Sequence, residues 1–392
     1  MAGNANQSTI EQNPVSPYET YGNLEFRIAQ PHHEPLLRRI LRNNPIPGWI
    51  TLSYEREPDF FQATTIEGDT HETIVCLDRD SQQAVGLSTR SIKKRFVNGS
   101  AMNVGYLGQL RVDTKYRNQI RPLKYGFKYF RRHIHSHDLA PYYLTSIISD
   151  NVRAKRILTA NLPGFPTYQE IDTFSTLAIP CKRYKSRESS NGVHIAKATR
   201  HHLDAIVDCL NRNNQRYQFS SYWTKQDLLS DSRCRGISLD NFFIALRDDK
   251  VVGCLACWDQ SAFKQTIVRD YKKYARYFRP LINMASKAML YPALPKVGEE
   301  IKQVYLSHMA IDNDDPEILI ELLKIALHTA SLQGHQLLLV GLSQSNQMLL
   351  AIKKYFRHLT YSSQIYLVYW DDGKAAVNNI DNRTIHTDIA LL

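Results

Sequence analysis

The sequence says its plan twice, and that repeat constrains the fold more than any single motif. FRIAQPHHEPLLRRILRNN at 26–44 is answered by VHIAKATRHHLDAIVDCLNRNN at 193–214. Ile28-Ala29 stands against Ile195-Ala196, and Arg42-Asn43-Asn44 against Arg212-Asn213-Asn214. HETIVCLDRDSQQAVGLS and NFFIALRDDKVVGCLACW share a strand–turn–strand pattern, with Val85-Gly86 facing Val252-Gly253. Val104-x-Tyr-Leu pairs with Val304-Tyr-Leu, and Arg111-Val112-Asp113 with Ala310-Ile311-Asp312. A helical pattern at 318–334, a buried strand at 336–346 and a further helix at 347–358 complete the second round. Self-similarity on this scale requires two units of one plan. The length, 392 residues, is that of two ordinary domains.

The centre of the first unit lies at 106–160. YLGQLRVD reads as a strand, TKYRNQIRP as a basic turn, LKYGFKYFRRHI as a helix, YYLTSIISDN as a strand and VRAKRILTA as a helix. Pro122 falls at a first helical position, where its missing N–H costs nothing. The turn carries Lys115, Arg117 and Arg121. A strand–turn–helix of this kind aims free backbone N–H groups and the positive end of a helix dipole at one point, which suits a phosphate.

This order resembles the cofactor-binding core of the GNAT acyltransferases, whose pattern after the equivalent strand is Arg/Gln-x-x-Gly-x-Gly/Ala. Residues 117–122 match it in Arg117 and in position, with Ile120 and Pro122 where the family has glycines. Ser149-Asp150-Asn151, Ala154 and GFPTY at 164–168 resemble the family's second strand, its Asn-initiated helix and the turn that follows. Glycine permits close approach of backbone to phosphate; here the cations would bind phosphate oxygens directly. The resemblance implies an α/β (α+β) fold of two GNAT-like domains, each a mixed, mainly antiparallel central sheet flanked by helices. It implies strands from Tyr106 and Tyr142 that splay and hold acetyl-CoA or another acyl-CoA, and a helix from Pro122 that receives the pyrophosphate. The cofactor residues it points to are Leu110, Arg111, Val112, Lys115, Arg117, Asn118, Gln119, Ile120, Arg121 and Asn151. The reaction implied is N-acyl transfer to a primary amine, on a small molecule or a peptide.

Acyl transfer needs a donor for the developing oxyanion and a proton for the leaving thiolate. By resemblance the oxyanion contact is a backbone N–H near 110–112. Many family members place a proton-donating Tyr seven residues after the Asn; this chain has Leu158 there. Tyr142, Tyr143 and Tyr168 are the alternative donors, and Gln109 or Tyr106 the candidates for holding a basic water.

The copies differ where it matters. The second has IDNDDPEIL in place of the cationic turn, and Asp312, Asp314, Asp315 and Glu317 would repel a pyrophosphate while suiting a helix start. Cofactor binding is therefore expected in the first copy only. The second also carries an insertion at 260–298, whose RDYKKYARYFRPLINMASKAML puts Tyr271, Tyr274, Phe278 and Leu281 on one helical stripe among Lys and Arg. Such a stripe packs on its own domain, or serves a membrane surface or single-stranded nucleic acid.

The expected organisation is a disordered tail at 1–22, a GNAT-like domain at 23–181, a charged linker at 182–192, a second domain at 193–371 and a tail at 372–392. YQEIDTFSTLAIP reads as two closing strands. No apolar run approaches membrane-span length, and the N-terminus lacks the basic-then-apolar plan of a secretory signal, so a cytoplasmic location is expected. The net charge of +11 suits coenzyme A, nucleic acid or an acidic surface, without a nucleic-acid-binding motif to decide. Cys254-Leu-Ala-Cys257 lies in a strand, which points its thiols to opposite faces. HIHSH at 133–137 lacks a completing carboxylate or Cys, so no metal site is expected. The oligomeric state is not legible. The competing reading is a non-catalytic acyl-CoA- or ligand-binding protein on the same duplicated scaffold, or a nucleic-acid or membrane-surface binder acting through 269–281.

Overall fold

A computed structural model of the chain describes residues 18–137, 140–184, 192–288 and 291–392. The first half runs β1 (Tyr18–Tyr21), β2 (Leu24–Ile28), α1 (Glu34–Asn43), β3 (Ile50–Glu55), α2 (Phe60–Thr64), β4 (Thr70–Asp78), β5 (Ala84–Val97), β6 (Ser100–Val112), α3 (Arg121–His133), β7 (Tyr143–Ile148), α4 (Val152–Leu158) and β8 (Thr167–Pro180). The second runs β9 (His194–Lys197), α5 (Leu203–Asn214), α6 (Lys225–Leu228), β10 (Phe242–Arg247), β11 (Lys250–Trp258), β12 (Gln265–Tyr271), α7 (Lys273–Ala288), β13 (Gln303–Ile311), α8 (Pro316–Leu332), β14 (Leu337–Ser343), α9 (Gln347–Tyr355), β15 (Leu359–Tyr369) and α10 (Lys374–Asn378).

Thirteen strands form one sheet in the order β1-β2-β4-β5-β6-β7-β15-β8-β14-β13-β11-β10-β9. Among the described strands of this sheet, β6–β7 and β13–β14 pair in parallel and the other neighbours antiparallel. Local sequence explains much of it. Asn98-Gly99 supplies consecutive left-handed residues (φ 52° and 81°) and closes the β5–β6 hairpin, as the right-handed twist of the flanking strands requires. That hairpin is continuous, β5 running to Val97 and β6 starting at Ser100. Asp248-Asp249 (φ 48° and 58°) turns β10 into β11 in the same way. Cys254 and Cys257 do face opposite sides of β11, each in its own apolar core. Helix α8 buries Leu319, Leu322, Leu323, Ala326 and Leu327 completely and starts on Asp315, whose carboxylate accepts from the N–H of Glu317 at 2.9 Å.

The halves exchange their closing strands. β8 is one strand, not two, and pairs with β14 of the second half along one edge and β15 along the other. β15 in turn pairs with β7 of the first half. The expected domain boundary near 182 therefore falls inside a shared sheet; of the expected linker, 185–191 lie outside the described residues.

The expected tails need correction. Residues 1–17 lie outside the described residues, but Tyr18–Tyr21 form an edge strand on β2, held by Tyr21 stacked on Tyr125 at 4.1 Å. At the other end, Ala390 and Leu391 are 0% and 2% exposed. Residues 385–392 are thus packed on the domain, and a turn at Ile389–Leu391 lies on β13 and β14. The insertion also differs from expectation. Its first part, β12, pairs with β3 of the other half as a two-stranded ribbon. Tyr271 ends that strand and is buried, so it leaves the helical stripe.

Gly105 marks the last stretch of contact between β6 and β7. A Cβ there would meet the Tyr143 ring at 2.1 Å, too close for any rotamer to relieve. Gly105→Ala is expected to lower stability by about 1–3 kcal/mol, read as a lower urea midpoint with unchanged slope.

Candidate functional site between two splayed strands

β6 and β7 share only the rungs Gly105–Tyr143 and Tyr106–Leu144. Beyond Tyr106 they diverge, linked by side chains where Thr145 Oγ1 donates to the Leu107 carbonyl at 2.8 Å and the Tyr106 hydroxyl meets Ser146 Oγ at 3.3 Å. The cause is a bulge. The β5–β6 register slips between Leu87 and Thr89, and Gln109 opposite that slip has φ 51°. An extra residue in one strand bends it and increases its twist. Here it turns β6 away from β7 and opens a cavity of about 300 Å³.

Two sets of elements line this cavity. β2, β4, α3 and α4 contribute Phe26, Ile74, Cys76, Phe127 and Leu158, an apolar wall. β3, the insertion, β13, β15 and the C-terminal segment contribute Tyr54, Lys264, Tyr305, Tyr361 and Leu392. Burial depresses the Lys264 ammonium to about 8 against the counteracting pull of Glu67; its Nζ donates to the Ala390 carbonyl at 3.3 Å. Glu67 also lines the cavity and is paired with the buried Arg56. Burial lowers the Arg111 guanidinium to about 10.

Of the expected site residues, Gln109, Leu110, Arg111, Val112, Asn151 and Tyr168 line the cavity. The Gln109 side-chain oxygen is buried without a partner among the described residues. Asn151 also caps α4, its Oδ1 accepting from the N–H of Ala154 at 3.2 Å; Asn346 does the same for α9 in the second half. Lys115, Arg117, Asn118, Gln119, Ile120 and Arg121 form an exposed turn at one end of the splay. Tyr116 anchors the turn by donating to Asp78 at 2.6 Å, which holds that carboxyl down to about 2. Arg153 braces it through the Arg117 carbonyl and, at 3.0 Å, the Asn118 side chain. Helix α3 has no side-chain cap. The N–H groups of Asn118, Ile120, Arg121 and Leu123 find no acceptor among the described residues. Pro122 is buried at the cavity wall and Ile120 points outward, 41% exposed, so neither plugs the turn.

Two proposed proton donors are displaced. Tyr143 is fully buried behind β7 and its hydroxyl meets His135 Nδ1 at 2.8 Å. Tyr142 packs edge-on against Phe219 with its hydroxyl buried. Neither reaches the cavity lining: Tyr143, the first residue of β7, and Tyr142, just before it, pack into separate cores. Tyr168 does reach it, and burial raises its phenol well above the usual value. Two of the three histidines of HIHSH are engaged elsewhere: His133 meets Glu19 at 2.8 Å and His135 meets Asp372 at 3.0 Å. Lys264, Tyr54, Tyr305 and Tyr361 were missed, since nothing local marks them and only the long-range assembly brings them in.

The second copy repeats the geometry and fills it. β13 and β14 pair at Gln303–Leu337, Val304–Leu338 and Tyr305–Leu339, then diverge. The β11–β13 register slips between Cys254 and Ala256, the counterpart of the slip at Leu87. His308, the counterpart of Gln109, has φ 50°. The C-terminal segment occupies this second splay, and the Asp388 carboxylate accepts from the His308 N–H at 3.0 Å. Burial raises the Asp388 carboxyl and drives His308 down to about 3. The acidic turn is likewise engaged. Arg212 and Asn213 hold Asp312 at 2.7–2.9 Å, outweighing burial to keep its carboxyl low, and Arg216 holds Asp314 at 2.8 Å.

No family model and no curated protein matches the sequence. Solved structures do match in fold. The myristoyl-CoA complex of Saccharomyces cerevisiae N-myristoyltransferase superposes with a TM-score of 0.58 at 13% identity, over 93% of this chain and 87% of that one. A GCN5-related N-acetyltransferase from Sphaerobacter thermophilus gives 0.53 at 10% identity, over 95% and 100%. A GCN5-related glucosamine N-acetyltransferase region within a fungal GH3 β-N-acetylglucosaminidase gives 0.56 at 10% identity, over 90% of this chain and 38% of that one.

Proposed function

The chain has a duplicated GNAT fold, and from that premise we propose that it is an acyl-CoA-dependent N-acyltransferase whose single cofactor site is the first splay. The observation that carries this reading is the contrast between the copies: the same bulge-driven gap is open at Gln109 and occupied by the chain itself at His308. In the second copy the bulge N–H holds a carboxylate oxygen. In the first, the equivalent N–H of Gln109 would hold the thioester oxygen, one residue before the stretch expected from resemblance. Preorganised donors at that point stabilise charge that develops only in the transition state.

The uncapped start of α3 with Lys115, Arg117 and Arg121 would receive the pyrophosphate. The pantetheine arm would run between β6 and β7 past Asn151. The apolar wall at Phe26, Ile74, Phe127 and Leu158 suits an alkyl chain, so the donor need not be acetyl-CoA; one structural neighbour binds myristoyl-CoA. The acceptor amine, on a small molecule or a peptide, would enter beside Lys264, Tyr305 and Tyr361. Lys264, neutral in a sizeable fraction of molecules at a pKa of about 8, is placed to take the proton from an ammonium acceptor. Tyr168 is the remaining phenol able to protonate the thiolate.

Isothermal titration with coenzyme A, acetyl-CoA and myristoyl-CoA tests the cofactor site. Binding is expected for all three, with the acyl forms tighter, and Arg117→Glu with Arg121→Glu should weaken it at least tenfold, through loss of charge-assisted contacts worth about 1.5–3 kcal/mol each. Absence of heat at millimolar coenzyme A would end the proposal.

A further inference from the structure

Helix α7 presents an apolar stripe to solvent. Its inner face packs through Ala275, 4% exposed, and Asn283, whose side chain pairs with the backbone of Leu294 at 2.7 Å and 3.3 Å. On the outer face Tyr274, Tyr277, Phe278, Leu281 and Met284 are 82%, 80%, 52%, 57% and 69% exposed. These positions follow helical spacing and make one continuous band. Among the described residues, none covers this band. Exposed apolar groups scattered singly need no explanation, but a contiguous band marks an interaction surface.

The charges beside it identify the surface. Lys272, Lys273 and Arg276 are exposed at the start of the helix and make no ion pair among the described residues. Between Gln265 and Ala288 the one acidic residue is Asp270. Trp49, 50% exposed, sits at the same end, its carbonyl accepting from the Lys272 N–H at 3.1 Å. A band of Tyr, Phe, Leu and Met bordered by unpaired cations, with an indole at its edge, is complementary to one kind of partner: apolar below, anionic at the rim, and indifferent to sequence. That is the interface of an anionic bilayer, where Tyr and Trp rings settle at headgroup depth and cations meet lipid phosphates and carboxylates.

We propose that α7 is a membrane-docking helix that lies in the headgroup layer of anionic bilayers, with the Tyr274–Met284 band inserted and Lys272, Lys273 and Arg276 on the lipid charges. This surface is separate from the cofactor site and does not depend on acyl transfer. β12, which leads into α7, descends from Lys264 at the cavity wall, so docking would hold the acceptor side of that cavity close to the lipid.

Co-sedimentation of the full chain with phosphatidylcholine vesicles, with and without phosphatidylserine, tests it. The chain is expected to bind phosphatidylserine vesicles and to release at high salt. Lys272→Ala, Lys273→Ala and Arg276→Ala combined should weaken binding by about fivefold per charge. Leu281→Asp should weaken it at least tenfold on the same vesicles. Both variants change exposed side chains, so unaltered circular dichroism and urea midpoint separate lost docking from lost folding. Absence of binding to phosphatidylserine vesicles, or binding that ignores both variants, overturns the proposal. So does a dimer in sedimentation velocity that Leu281→Asp dissolves, or RNA binding without vesicle binding that the triple charge variant abolishes.

Discussion

Truncation after Thr387 is expected to destabilise the chain by on the order of 4–6 kcal/mol. The removed residues look dispensable by composition. In place, however, Leu391 is 2% exposed, Asp388 accepts from the N–H groups of His308 and Ala390 at 3.0 Å and 2.9 Å, and the Ala390 carbonyl accepts from Gln260 and Lys264 at 3.0 Å and 3.3 Å. Deletion removes the apolar burial of Ile389 and Leu391 and strips partners from three donors, the His308 N–H on β13 and the Gln260 and Lys264 side chains in the β11–β12 connection. Each orphaned donor costs about 1–3 kcal/mol unless water reaches it. Urea unfolding is the measurement, with Leu391→Ala as the milder companion at about 2–5 kcal/mol. A truncated chain with an unshifted midpoint would show that the second splay does not need its filling.

Lys264→Met should cost acyl transfer on the order of a hundredfold or more in kcat/KM, the usual scale for loss of a general base, while leaving acyl-CoA affinity within a few-fold. The pH dependence carries the diagnosis. As a base the lysine must be neutral, so the wild-type rate should climb through about pH 8, and the variant should lack that limb. Stability makes a second readout. The folded pKa lies below that of a free lysine near 10.4, so between about pH 8 and that value the unfolded chain binds more protons than the folded one. Stability therefore rises with pH across the window, and Lys264→Met should flatten the rise without loss of stability at neutral pH. A variant with wild-type kcat/KM and an unchanged profile would assign the proton to another group.

The duplication was legible in repeated spacing, and the central strand, basic turn and helix in β-rich runs and a Pro at a helix start; the splay and the helix begun by Asn151 entered only through the resemblance to the GNAT family. The bulge was not legible, because Gln109 and His308 carry no glycine to advertise a positive φ; pairing with β5 and β11 imposes it. The ribbon of β3 with β12 joins segments from opposite halves, and no short-range pattern reports such a partner. The C-terminal segment was misread for a related reason. Its last apolar residues, among them Ile389, Ala390 and Leu391, form no periodic face, and they matter because two diverging strands wait for them. The strand expected from Tyr142 starts at Tyr143, and both side chains belong to cores, which sequence spacing alone does not assign.

The exchange of closing strands has a consequence for how the polypeptide comes off the ribosome. The edge of β7 receives its neighbour only when β15 at Leu359–Tyr369 has been made. Until then the nascent first half carries a bare row of N–H and C=O groups, the usual template for wrong pairing. Expressed alone, that half would meet other copies of itself at this edge, and splitting the gene at the apparent boundary would yield aggregates unless both pieces were produced together.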